Sequence, residues 1–182
     1  MTQAAFTGDD GPGTDGQGSD AGAGRDAAYA IRRARPEDVA TVSRHRDAMF
    51  TEMGIDRTVV QAASGPAREW LGAALAEGRY LGLLVVTGGD VVGGVGVTWL
   101  DLPPNMHTAL PRRGYILNMY VDPPHRGRGL ARRLLDGAVE VCRSHGVDVV
   151  TLHASDAGRP LYAASGFTAT NEMRLTLREE PH

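Results

Sequence analysis

The residues of this chain best suited to chemistry lie between Tyr120 and Leu135, where Gly127 and Gly129 separate an apolar run from one that alternates basic and apolar positions. That pattern predicts a strand ending in a glycine-rich turn that opens directly into an amphipathic helix. The first N–H groups of a helix have no partner within it. Together with the positive end of the helix dipole they hold an anion, above all a phosphate. Glycine at 127 and 129 lets the backbone approach that anion more closely than a side chain allows. Arg126, Arg128 and Arg132 add positive charge beside the turn, although any one of them could equally be a solvated surface charge. Dinucleotide folds, P-loops and plain tight turns all use such a turn. The chain has no Gly-Lys-Ser/Thr run, and the turn follows an expected antiparallel hairpin in mid-chain, which suits neither a P-loop nor the start of a dinucleotide fold.

Composition bounds the rest. With 182 residues, 42% of them hydrophobic, the chain can bury one core and gives no sign of a second folded domain. A net charge of −3 counts against nucleic acid as a partner. Cys142 is the single cysteine and cannot form an internal disulfide. Its place on the apolar face of a helix makes it a core residue rather than a nucleophile. The first residues lack a basic segment before a long apolar run, and no stretch approaches the roughly 18 apolar residues of a membrane span. The expectation is a cytoplasmic protein without a membrane partner.

The elements that must position the turn follow from periodicity. Residues 1–28 are rich in Gly, Asp, Ser and Ala and predict a disordered acidic tail. The folded domain is expected over 29–178, with 179–182 as a short C-terminal tail. Tyr29–Ala34 predicts a strand and Pro36 to about Phe50 a helix, with Val39, Val42, Arg46, Met49, Phe50 and Met53 along one face. The arginine is the odd member of that stripe. A second helix is expected from Pro66 to Glu77, then a hairpin of Arg79–Thr87 and Val91–Leu100 around Gly88, Gly89 and Asp90. Leu102–Arg113 predicts a loop, and Gly114–Val121 a strand. A helix from Gly129 to His145 is ended by Gly146, and Val147–Leu152 completes a β-α-β unit with parallel strands. A short helix over Gly158–Ser165 and final strands over Thr168–Leu177 close the domain.

Arg126-x-x-Gly129-x-Ala131 resembles the Arg/Gln-x-x-Gly-x-Gly/Ala signature of the GNAT superfamily of acyl-CoA-dependent N-acyltransferases. Leu161-Tyr162 with Gly166-Phe167 resembles that family's Leu-Tyr-x-x-x-Gly-Phe segment, in the same order and spacing. The resemblance implies an α/β fold: a mixed, mostly antiparallel sheet, flanked by helices, whose parallel fourth and fifth strands splay apart. It implies acetyl-CoA as cosubstrate and no metal. By the same resemblance Arg126, Gly127, Arg128, Gly129, Leu130 and Ala131 would hold the pyrophosphate. The backbone of Met119, Tyr120 and Val121 would pair with the pantetheine arm, and one of its N–H groups could stabilise the oxyanion. Ser155 stands where many relatives carry Asn and has a shorter reach. Tyr162 would be the general acid; a phenol of pKa about 10 can protonate a thiolate whose thiol has a pKa of roughly 8.5.

The acceptor site is implied to lie among the first two helices and the loop before the fourth strand. Met49, Phe50, Met53, Trp99 and Met106 would wall it, and Arg46 could bind an acceptor carboxylate or phosphate. Tyr115 occupies the position where some relatives carry a glutamate base, so that base is not carried over, and Tyr115 is expected instead among the acceptor-binding residues. Glu52, Asp101, His107 and His153 remain as candidates for the base. The implied function is transfer of an acetyl group from acetyl-CoA to the primary amine of a small molecule by direct attack. The alternatives are a protein or peptide acceptor and a non-catalytic acyl-CoA sensor. A homodimer is compatible with either.

Overall fold

The computed structural model describes residues 29–177, so the expectations for residues 1–28 and 178–182 lie outside the described part. Five strands form one sheet in the order β1-β2-β3-β4-β5: Ala30–Arg33, Tyr80–Thr87, Asp90–Asp101, Arg112–Val121 and Val150–Leu152. Three pairings are antiparallel, and β4 with β5 is parallel. The helices are α1 (Val39–Glu52), α2 (Arg57–Ala76), α3 (Leu130–Ser144) and α4 (Arg159–Ala164). No helix among the described residues is long and apolar enough to cross a membrane.

Alternation along the strands divides the core into two layers. Leu83, Val85, Val97 and Ile116 pack on Leu134, Leu135, Ala138 and Cys142 of α3, on one face of the sheet. Tyr80 and Leu84 pack with Val42 of α1 and with Leu71 and Ala74 of α2, on the other. Tyr80 lies over Gly96, where any Cβ would meet its phenol oxygen at 2.1 Å. Burial pushes that phenol's pKa up to about 12.

Three elements depart from the sequence expectations. The second helix begins at Arg57, nine residues before Pro66, which lies inside it. Asp56 caps the true start by accepting from the Thr58 N–H at 2.7 Å. Val60, Leu71 and Ala74 are buried on both sides of the proline, and their packing offsets the roughly 3 kcal/mol that an internal proline costs. The fifth strand begins at Val150 rather than Val147. The expected final strands are not formed within residues 168–177. Met173, Leu175 and Leu177 alternate as strand residues do, yet they are 94%, 81% and 87% exposed. Alternation marks a chain able to join a ladder and says nothing of whether a partner is in reach.

Candidate active site

The site is a consequence of how β4 and β5 part. Their pairing covers only Gly114–Ile116 against Val150–Leu152. Beyond Ile116 the β5-facing edge of β4 is free of that ladder, and Asn118, at φ +54°, bulges there. A cavity of about 850 Å³ opens at the gap. Met119, Tyr120 and Val121 line it from β4, and Ala154, Ser155, Leu161 and Tyr162 line it from beyond β5.

The glycine turn forms a third wall. Gly127 and Gly129 have φ of +72° and +73°, and an added Cβ at either would meet open space. The conformation, not crowding, demands glycine there. Gly129 caps α3 without any side-chain hydrogen bond, so the first N–H groups of the helix are not satisfied by a cap. Arg126, Gly127, Gly129, Leu130, Ala131 and Arg132 all line the cavity. This wall has the chemistry of an anion cradle, and it lies beside a strand edge suited to an extended amide-bearing chain.

Tyr162 enters from α4 and packs edge-on against Phe167, with ring centroids 6.0 Å apart. Burial raises its pKa, so the phenol keeps its proton at neutral pH. The Gly158 N–H donates to Ser155 Oγ at 3.2 Å, which fixes the loop before α4. Of the residues expected to hold the cosubstrate, Arg128 alone does not line the cavity.

The expected acceptor residues are brought together less completely. Met49 and Met53 line the cavity. Arg46 donates to Asp47 at 2.8 Å, and its guanidinium lies 4.8 Å from the centroid of the Phe50 ring, both outside the cavity wall. Trp99 stacks on His145 at the end of α3, 4.8 Å between centroids. Met106 is 92% exposed on the loop between β3 and β4. Tyr115 is hydrogen-bonded to His153 Nδ1, and His153 Nε2 lies 3.2 Å from Glu172 Oε1. Among the other base candidates, Asp101 pairs with Arg112 at the opposite end of β4 from Val121. His107 lies in the same loop as Met106, where its backbone N–H donates to Asn105.

Sequence reasoning did not foresee the role of Glu52 in the cavity wall. It accepts from the Tyr120 hydroxyl at 3.1 Å and pairs with Arg126. His125, held by the Tyr29 hydroxyl at 3.0 Å, is a second unforeseen wall residue. No local pattern marks either, because each depends on contacts between distant segments.

Comparison with known proteins bears on this geometry. The family model described as acetyltransferase (GNAT) family matches residues 45–167. A GCN5-related N-acetyltransferase from Ralstonia eutropha is 39% identical, with a TM-score of 0.80 over 82% of this chain and 98% of that one. A protein described as a predicted acetyltransferase from Clostridium acetobutylicum, crystallised with acetyl-CoA, is 26% identical, with a TM-score of 0.78 over 85% and 99% of the two chains. A glucosamine 6-phosphate N-acetyltransferase from Trypanosoma brucei brucei is 36% identical over 84 residues, which are 46% of this chain and 57% of that protein. The chain therefore matches a little over half the length of this last relative.

Proposed function

Since this chain belongs to the GNAT acetyltransferase family, we propose that it is an acetyl-CoA-dependent N-acetyltransferase whose acceptor is the primary amine of a small molecule, attacking the thioester directly. The observation that carries this is the gap between β4 and β5, walled on one side by the glycine turn and on the other by Tyr162. The relative that acts on glucosamine 6-phosphate supports a compact acceptor.

In this scheme the N–H groups of the turn and the first turn of α3 hold the pyrophosphate, and Arg126 adds a charge-assisted contact. The backbone of Met119–Val121 extends the sheet toward the pantetheine arm, which brings the thioester to the gap. As the amine adds to the carbonyl carbon, negative charge develops on its oxygen, and a β4 N–H near the bulge stabilises it there. Tyr162 then gives its proton to the departing thiolate, so no covalent enzyme intermediate is needed. Binding both partners at one gap converts a bimolecular encounter into a local one.

The test is mass spectrometry of mixtures of the protein, acetyl-CoA and a panel of small amines that includes glucosamine 6-phosphate, amino acids and short peptides. A small-molecule product heavier by one acetyl group supports the proposal. Acetylation of peptides alone overturns the small-molecule acceptor. Intact acetyl-CoA retained without any product favours an acyl-CoA sensor.

A further inference from the structure

We propose that Tyr115, His153 and Glu172 form a proton relay that deprotonates the acceptor amine, with the Tyr115 hydroxyl as the group that meets the amine. This rests on the acetyl-transfer function proposed above.

The relay follows from sheet register. Tyr80 is opposite Thr98, Thr98 opposite Tyr115, and Tyr115 opposite Thr151, so one row crosses β2 to β5. Residues opposite one another share a face. Tyr80 packs with α1 and α2, which assigns the whole row to that face. His153 follows Thr151 by two positions, just past the last paired residue, Leu152. Tyr162 packs instead with the cluster on the α3 side. The proton donor and the relay thus flank the β4–β5 gap from opposite faces of the sheet. None of the three relay residues lines the cavity of about 850 Å³ at the gap. Tyr115 and His153 lie at its closed end, where the β4–β5 ladder stops, and the relay would take its proton from an amine that reaches that end on the α1 and α2 face, with the thioester toward Tyr162.

The hydrogen bonds give the relay a direction. Burial and then the Glu172 charge raise the Tyr115 pKa, against an opposing effect of Arg174, so the phenol stays protonated and donates to His153 Nδ1. His153 Nε2 then carries the hydrogen that faces Glu172. The arrangement has the logic of a hydroxyl backed by an imidazole and a carboxylate. Here it moves a proton rather than making a nucleophile. Two other candidates are engaged elsewhere, Glu52 by Arg126 and Tyr120 and Asp101 by Arg112, and His107 lies on the loop between β3 and β4, outside the cavity wall.

The amine nitrogen bonds to the carbonyl carbon, and its proton passes to Tyr115 as the Tyr115 proton passes to His153 Nδ1. Glu172 stabilises the resulting imidazolium. The C–S bond breaks and the thiolate takes the Tyr162 proton, which leaves the amide and free CoA. Solvent returns one proton from His153 to Tyr162.

The experiment follows thiol release from acetyl-CoA with the best acceptor of the amine panel, or with hydroxylamine, small enough for any acceptor site, if no other amine reacts. His153→Ala is expected to lower kcat about 100-fold, within the usual range for general base catalysis, with acetyl-CoA affinity by calorimetry unchanged. His153 is half-exposed, so added imidazole should restore the rate of His153→Ala in a saturable way. His153→Gln keeps hydrogen bonds to both neighbours and should lose as much as His153→Ala. Tyr115→Phe should lose a similar factor, resist imidazole, and cost nothing further when combined with His153→Ala. A wild-type rate in His153→Gln, a loss in His153→Ala that imidazole does not repair, or losses that multiply in the double variant would each overturn the relay. Wild-type protein that binds acetyl-CoA but acetylates no amine would overturn the parent proposal, and the relay with it.

Discussion

Arg126 and Glu52 hold each other across the mouth of the cavity, with Arg126 Nη2 2.9 and 2.7 Å from the two Glu52 carboxylate oxygens. Arg126 Nε donates to the Val121 carbonyl at 2.7 Å, so the guanidinium is anchored to the strand and the glutamate to the guanidinium. The pair joins the end of α1, on the expected acceptor side, to the turn expected to hold the pyrophosphate.

A carboxylate in that place competes with a pyrophosphate for the same donors and repels it. Both side chains are about 45% exposed, so the competition is screened, and exposed pairs are worth at most about 1 kcal/mol. Glu52→Gln should therefore tighten acetyl-CoA binding roughly two- to fivefold in low salt, and the gain should shrink as salt is added. Calorimetric titration with acetyl-CoA checks it; an unchanged or weaker affinity would show that Glu52 positions Arg126 rather than competing for it.

Tyr162 keeps its proton because burial raises its pKa. If that proton goes to the thiolate, Tyr162→Phe should lower kcat by about 100-fold and leave acetyl-CoA affinity within about twofold. Steady-state rates set beside calorimetry separate the two quantities. A full rate in the variant would remove the phenol from the chemistry.

The parts of the site legible in the sequence are those built from neighbours in the chain. Gly127 and Gly129 announce a left-handed turn because no other residue adopts it so readily, and the periodic helix after them gives the anion site its direction. Tyr162 is legible by the same locality, as part of a short segment with fixed spacing. The pairing of Glu52 with Arg126 spans 74 positions, and the Tyr115–His153–Glu172 chain spans steps of 38 and 19. Periodicity carries no information across such distances: Glu52 meets Arg126 where the end of α1 lies against the end of β4, and Tyr115 meets His153 through the register of β4 on β5. The second helix departs from its sequence signal for the opposite reason. Pro66 is a strong local signal for a helix start, and the burial of Val60, Leu71 and Ala74 overrode it.

Gly129 separates conformation from charge. At φ +73° any side chain is strained, yet a Cβ would meet nothing within 4 Å, so Gly129→Ala should cost about 1 kcal/mol of stability and little more. Gly129→Glu adds a carboxylate where the pyrophosphate is expected, at the N-terminus of α3. The two variants should melt at similar temperatures, while acetyl-CoA affinity falls by more than about 100-fold only in the glutamate variant. Equal affinities in the two would move the anion site away from this turn.

Asp38 tests what holds the start of α1 against β1. Its carboxylate pairs with Arg32 at 2.7 and 2.8 Å and accepts from the Arg35 N–H at 2.8 Å. The Arg32 hydrogen bonds, opposed by desolvation and helped by the Arg35 N–H, hold its pKa below the ordinary carboxylate value. A carboxyl group depressed by folding contributes stability that is fully present above the unfolded value, about 3.9, and lost as pH falls through the lower folded value. Arg32 is more than one third exposed, so the contribution is discounted to about 1 kcal/mol. Asp38→Asn should therefore melt below the wild type at neutral pH, and the two curves should converge in acid as the wild-type carboxylate is itself protonated, below the ordinary carboxylate range. A difference that persists undiminished under acid would mean that Asp38 acts through the neutral hydrogen bonds of the turn, which asparagine fails to reproduce, rather than through its charge.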